Sequence, residues 1–151
     1  MRNLKYINLI LLIVFIYPIS SKGESLAFHG AYTFETFPGQ KACAVYLSIF
    51  NNTNKDFLIN STSTQIAEKA EIHDIEIEDE IVKMKKKANL LIKAKEQFFF
   101  QPGGTHLMLM GLKKQLIDGT SFSIKFLLEN GSVNEVKVMV LNKKMRDNFI
   151  E

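Results

Sequence analysis

Cysteine is nearly absent: Cys43 is the only one in 151 residues, so no internal disulfide can form and the fold must stand on packing. That residue lies in the strand-like stretch "ACAVYLSIF", where a buried, inert thiol is expected rather than a redox or metal role. Tryptophan is missing, histidine occurs three times, and the acids are scattered over turns. With one cysteine and no clustered nucleophile, base or carboxylate pair, no enzyme is expected. Gly103 and Gly104 precede a strand-like segment and lack a following Lys-Ser/Thr, which excludes a phosphate loop. Long amphipathic stretches of period 3.6 are also lacking.

The one long apolar run, "YINLILLIVFIYPIS", follows Arg2 and Lys5, is broken by Asn8 and Pro18, and is succeeded by small residues at Ser20, Ser21 and Gly23. A membrane span usually needs about 20 apolar residues. The layout is that of an export signal peptide, residues 1–23, removed after Ser21 or Gly23 rather than kept as an anchor. No lipobox cysteine accompanies it. Cutting after Gly23 removes three of the 19 basic residues and none of the 16 acidic ones, so the formal charge of +3 falls to zero. A nucleic-acid partner therefore has no support from net charge.

What is present is an all-β pattern: short segments rich in Val, Ile, Phe and Thr, separated by turn signals such as "PGQ", "NNTNKD", "PGG", "DGT" and "ENGS". Nine strands are predicted, over residues 26–34, 42–51, 57–64, 70–77, 81–86, 96–100, 106–110, 121–128 and 133–141. They imply one domain over 24–142, an eight- to nine-stranded Greek-key β-sandwich of immunoglobulin-like type, with a flexible tail over 143–151. "NNT" at Asn51 and "NST" at Asn60 fit the glycosylation pattern and are read as turns.

In "EIHDIEIEDEIVKMKKK" the apolar alternation predicts a hairpin turning at Glu78 and Asp79. That register sets Ile75 against Val82, both toward the core, and His73 against Met84 near its rim, with Asp74 against Lys83 on the solvent side. The lysines at 83, 85, 86 and 87 are read as an edge guarded against aggregation before being read as a dock for an acidic partner. In "THLMLM", residues two apart share a face, so His106, Met108 and Met110 lie on one side and Leu107 and Leu109 on the other, toward the core.

His73, Met84, His106 and Met108 thus supply two imidazoles and two thioethers from three strands. Soft, uncharged sulfur suits Cu(I), imidazole also serves copper, and zinc sites draw instead on Cys, His and carboxylates. Thioethers also survive the oxidising conditions that would couple a thiolate pair.

With "EIHD", "VKMKK" and "PGGTHLMLMGLKKQLIDG", this His, Met, His-x-Met spacing makes the chain, from about Ala42 to Val140, resemble the periplasmic copper chaperones of the PCu(A)C family. The resemblance implies a cupredoxin-like β-sandwich that binds Cu(I) at His73, Met84, His106 and Met108. It also implies delivery toward the CuA centre of cytochrome c oxidase, with an oxidase subunit or another copper carrier as partner. Some relatives have a tail rich in His and Met; here the tail offers only Met145, so one copper per chain is expected. Met110 accompanies Met108 and is assigned to packing, and His29 lies outside the signature. Two alternatives stay open: copper sequestration without a dedicated acceptor, and a secreted β-sandwich interaction module without metal.

Overall fold

A computed structural model describes residues 26–78 and 81–147. The leader expected over 1–23 lies outside the described residues, as do 148–151 of the tail. The described residues are all-β apart from one short helical turn, with strands β1 (Ala27–Phe34), β2 (Ala42–Phe50), β3 (Phe57–Thr64), β4 (Lys69–Glu78), β5 (Ile81–Lys87), β6 (Leu90–Ile92), β7 (Gln97–Phe100), β8 (His106–Met110), β9 (Ser121–Leu128) and β10 (Val133–Leu141). A single helical turn, α1 (Lys144–Asp147), opens the tail. Among the described residues no helix is long and apolar enough to cross a membrane.

Seven strands close into a ring in the order β4-β8-β2-β1-β10-β9-β3, with β3 returning to β4 at Thr62 and Ala70. Closure removes sheet edges from the body of the domain. The other three strands attach outside the ring: β5 to β4, β6 to β3 and β7 to β2. In place of the expected eight or nine strands in a sandwich, the described residues form ten strands in one continuous, closed sheet. The additional strand, β6, has three residues, too few for an alternating pattern to show.

Alternation decides what lies inside. In β2, Cys43, Val45, Leu47 and Ile49 are buried while the residues between them are half-exposed. Ile124, Phe126 and Leu128 of β9 and Val136, Val138 and Val140 of β10 follow the same rule. Each such fully buried side chain is worth roughly 1.5–3 kcal/mol. Burial pushes the Cys43 thiol above its ordinary pKa against an opposing hydrogen bond from Thr33, consistent with an inert core residue.

Asn51 is also buried. Its amide donates to the carbonyls of Lys55 (2.7 Å) and Lys93 (2.8 Å), and its oxygen accepts from Thr53 N and Oγ1. The "NNT" stretch is a structural turn.

Candidate metal centre

The strand that carries two of the four candidate donors, β8, is set between two backbone constraints. Before β8, Gly103 takes φ 74° in the turn that Gln101 N closes on Thr105 O. After it, Gly111 takes φ 68°, and a Cβ there would meet the Glu68 side chain at 2.7 Å. Both positions need glycine's freedom. Between them Leu107 and Leu109 are 0% exposed and anchor β8 in the core. His106, Met108 and Met110 consequently share the outer face.

Across the sheet, β4 pairs with β8 so that His73 lies directly opposite His106, Glu71 opposite Met108 and Lys69 opposite Met110. The two imidazole ring centres are 6.1 Å apart and tilted by 60°. At that tilt the rings are close neighbours that are not stacked face to face.

The hairpin register differs from the expectation. Glu78 pairs with Ile81, Ile75 with Met84 and His73 with Lys86, so the pairing is displaced by two residues, and Asp79 of the expected turn lies outside the described residues. Because the side-chain period is two, the displacement keeps Met84 on the face of His73, now diagonal to it instead of opposite. Diagonal neighbours stand about 7–8 Å apart, within reach of long side chains.

The same displacement corrects two further expectations. Val82 is 61% exposed and Ile75 half-buried, so neither belongs to the core. Asp74 lies opposite Lys85, not Lys83, and its carboxylate accepts from Lys87 at 3.1 Å, from Thr105 Oγ1 at 3.1 Å and from Ile75 N at 3.0 Å. Partial burial pushes the Asp74 pKa up, yet those three hydrogen bonds outweigh it and the group titrates below its ordinary range.

The lysine run proves to be a cross-strand ladder. Lys85 bonds Glu76 (3.2 Å), Lys86 bonds Glu71 (2.8 Å) and Lys87 bonds Asp74 (3.1 Å). These charges fasten β5 to β4, which weakens the reading of a free basic dock.

The hydrogen bonds around the rings set their chemistry. His106, 6% exposed, donates Nδ1–H to the Gly104 carbonyl at 2.9 Å, so its Nε2 carries the lone pair. His73, with a side chain 15% exposed, meets the Glu71 carboxylate at 3.2 Å through Nε2. Its Nδ1 is shut off from solvent and has no partner, the one such buried side-chain nitrogen or oxygen among the described residues. Leaving a buried polar atom unsatisfied costs about 1–3 kcal/mol, so its position calls for an explanation.

Each ring therefore has one nitrogen committed to the protein and one free, the arrangement by which ligating histidines are oriented. The Lys86 hydrogen bond, then the His73 ring, hold the Glu71 carboxyl below its ordinary pKa. Sequence reasoning missed Glu71. Its only signal is its place two residues before His73, on the same face.

Among the described residues no three His, Cys, Asp or Glu side chains converge to hold an ion, so a four-donor centre on this face must recruit the thioethers. Met108 is half-buried beside His106, and Met84 is 64% exposed on β5. Met110 lies further along, opposite Ala42 and Lys69. His29 stands exposed on β1, edge-on to Phe50, with β2 between it and β8.

Comparison with known proteins adds a family. The model described as "Putative lipoprotein LpqE-like" matches residues 26–140. This chain belongs to the LpqE-like family. Curated proteins give no match.

Among solved structures the chain is similar to the apo PCuAC domain from PmoF1, at 19% identity and TM-score 0.65 over 78% of this chain and 93% of that one. The copper-bound PCuAC domain from PmoF2 gives 12% identity and TM-score 0.66, covering 80% and 94%. The solution structure of CuI-DR1885 from Deinococcus radiodurans gives 24% and 0.60, covering 76% of each chain. The LpqE-like chain thus has the fold of PCuAC domains, and two of these neighbours carry copper.

Proposed function

We propose that this LpqE-like protein is a Cu(I) carrier, binding one ion per chain between His73, Met84, His106 and Met108. The observation that carries the reading is the opposition of His73 and His106, each with one ring nitrogen free, on a face that also bears Met108 and Met84. Cu(I) fits because the available donors are neutral imidazole and thioether. The copper-bound neighbours support it, one of them titled as a Cu(I) form.

In this reading the protein is exported, loses residues 1–23, and works in the periplasm as a binding protein, not an enzyme. The lipoprotein description of its family supports export. The ring is read as the cupredoxin-like, Greek-key form of the copper chaperones. Its acceptor is a CuA-containing oxidase subunit or another carrier. Neutral ligands can be exchanged one at a time, which suits transfer, and because an imidazole must be unprotonated to bind the ion, acid weakens affinity.

Anaerobic titration of the domain from residue 24 with Cu(I) against a competing chelator tests the site. Stoichiometric competition is expected from the wild-type chain and weaker competition from Met108→Leu, whose similar volume preserves packing. No competition by the wild-type chain would refute the proposal. Transfer to an isolated CuA domain faster than to a small chelator separates a chaperone from a store.

A further inference from the structure

His73 offers an ion the less usual of two possible nitrogens, and the reason lies in two side chains outside the donor set. Glu71 is mostly buried, its side chain 18% exposed, and both its oxygens are engaged: Oε1 with the Lys86 ammonium at 2.8 Å and Oε2 with His73 Nε2 at 3.2 Å. A carboxylate that is ionised only accepts, so the shared hydrogen belongs to Nε2 and the lone pair of the neutral ring belongs to Nδ1. That is the same nitrogen that is buried without a partner. On His106 the assignment is reversed, because the Gly104 carbonyl takes the Nδ1 hydrogen.

We propose that Glu71, held in place by Lys86, is a positioning residue that fixes the His73 tautomer and turns Nδ1 toward the copper ion, so that the two histidines bind through different nitrogens. This rests on the copper reading above. Register brings the parts together: Glu71 and His73 share a face on β4, and Lys86 is the cross-strand partner of His73 on β5. Without the carboxylate the ring is free to place its hydrogen on either nitrogen and to turn about χ2. Part of the population would then present the wrong atom.

Long-range nitrogen–proton NMR on the 15N-labelled, metal-free chain, above the ordinary imidazole range of about pH 6.5, reads the tautomer directly. Expected are Nε2–H for His73 and Nδ1–H for His106 in wild type. Glu71→Ala should mix the His73 tautomers and leave His106 unchanged, while Glu71→Gln, whose amide oxygen still accepts, should largely restore the wild-type pattern. Cu(I) affinity should fall about 10- to 100-fold in Glu71→Ala, the range usual for an outer partner of a ligating histidine, and recover with Gln.

An unchanged His73 tautomer in Glu71→Ala, or a wild-type tautomer with hydrogen on Nδ1, overturns the proposal. A clean Nε2–H signal in a wild-type chain that takes up no copper overturns the copper reading instead, and the two failures are distinguished because the tautomer is read without metal.

Discussion

Met84 and Leu109 lie on neighbouring parts of one sheet and separate copper chemistry from fold stability. Full burial of a methionine side chain is worth roughly 1.5–3 kcal/mol. Met84 keeps 64% of its exposure on an outer strand, so truncating it to alanine removes about a third of that, roughly 0.5–1 kcal/mol. Melting of the metal-free domain should then drop by only about 2–6 °C.

Leu109, with no exposed surface, sits in the core behind the site, and Leu109→Ala should cost about 2–5 kcal/mol and lower the midpoint by on the order of 10–20 °C. Copper should report the opposite order. Met84→Ala loses a thioether donor and should bind Cu(I) at least about tenfold more weakly, a difference near 1.4 kcal/mol, while the folded fraction of Leu109→Ala keeps the wild-type affinity. Differential scanning calorimetry of the apo chains and anaerobic chelator competition give the two readouts. Met84→Ala binding as tightly as wild type would show that this methionine is no ligand, and a melting loss as large as that of Leu109→Ala would show that β5 is part of the core after all.

Acid should loosen the β4–β5 hairpin first. Glu71 and Asp74 titrate below their ordinary values in the folded chain, so their pairs stabilise it above the unfolded pKa of about 4 and are lost as pH falls through the depressed folded values. Amide hydrogen exchange should accelerate in β5 before β9 and β10, and uniform acceleration would refute the ladder's role. Asn51→Ala should cost about 2–4 kcal/mol in denaturant unfolding, because it strands the Thr53 amide and two carbonyls in a buried turn; a loss below about 0.5 kcal/mol would contradict that network.

The strands that face one way into the ring were legible because burial writes a period of two into them: β2, β9 and β10 alternate cleanly, and the leucines of β8 identify its inner face. The hairpin was misread for the converse reason. Its second strand is "IVKMKKK", with Val82 and Met84 exposed, so no core selects a register and the apolar pattern is a poor guide. Charge pairing was equally permissive, since Asp74 and Glu76 can meet Lys83, Lys85 or Lys87 in several alignments, and the structure uses diagonal pairs with Lys85 and Lys87.

The face of Met84 survived the error because the misalignment was even. Ring closure was beyond the sequence altogether. It depends on one short pairing, Thr62 with Ala70, between strands whose local patterns are indistinguishable from those of an open sandwich.

On the proposed donor set, exposure orders the ligands. His106 is 6% exposed and set in a ring strand, His73 lies beside it with 15% of its side chain exposed, Met108 is half-buried, and Met84 reaches solvent. On that proposal an incoming acceptor would meet Met84 first and His106 last. Met84 is also carried by a strand outside the closed ring: β5 is joined to β4 by its backbone ladder and by ion pairs of a kind that usually contribute less than about 1 kcal/mol each, and Val82 and Met84 do not enter the core. Moving that strand leaves the seven-stranded ring and its apolar interior intact. If that donor set holds copper, the step that opens the metal to exchange would fall where it disturbs the fold least, while the two imidazoles, held by Glu71 and by the Gly104 carbonyl, would keep the ion until an acceptor had supplied its own donors.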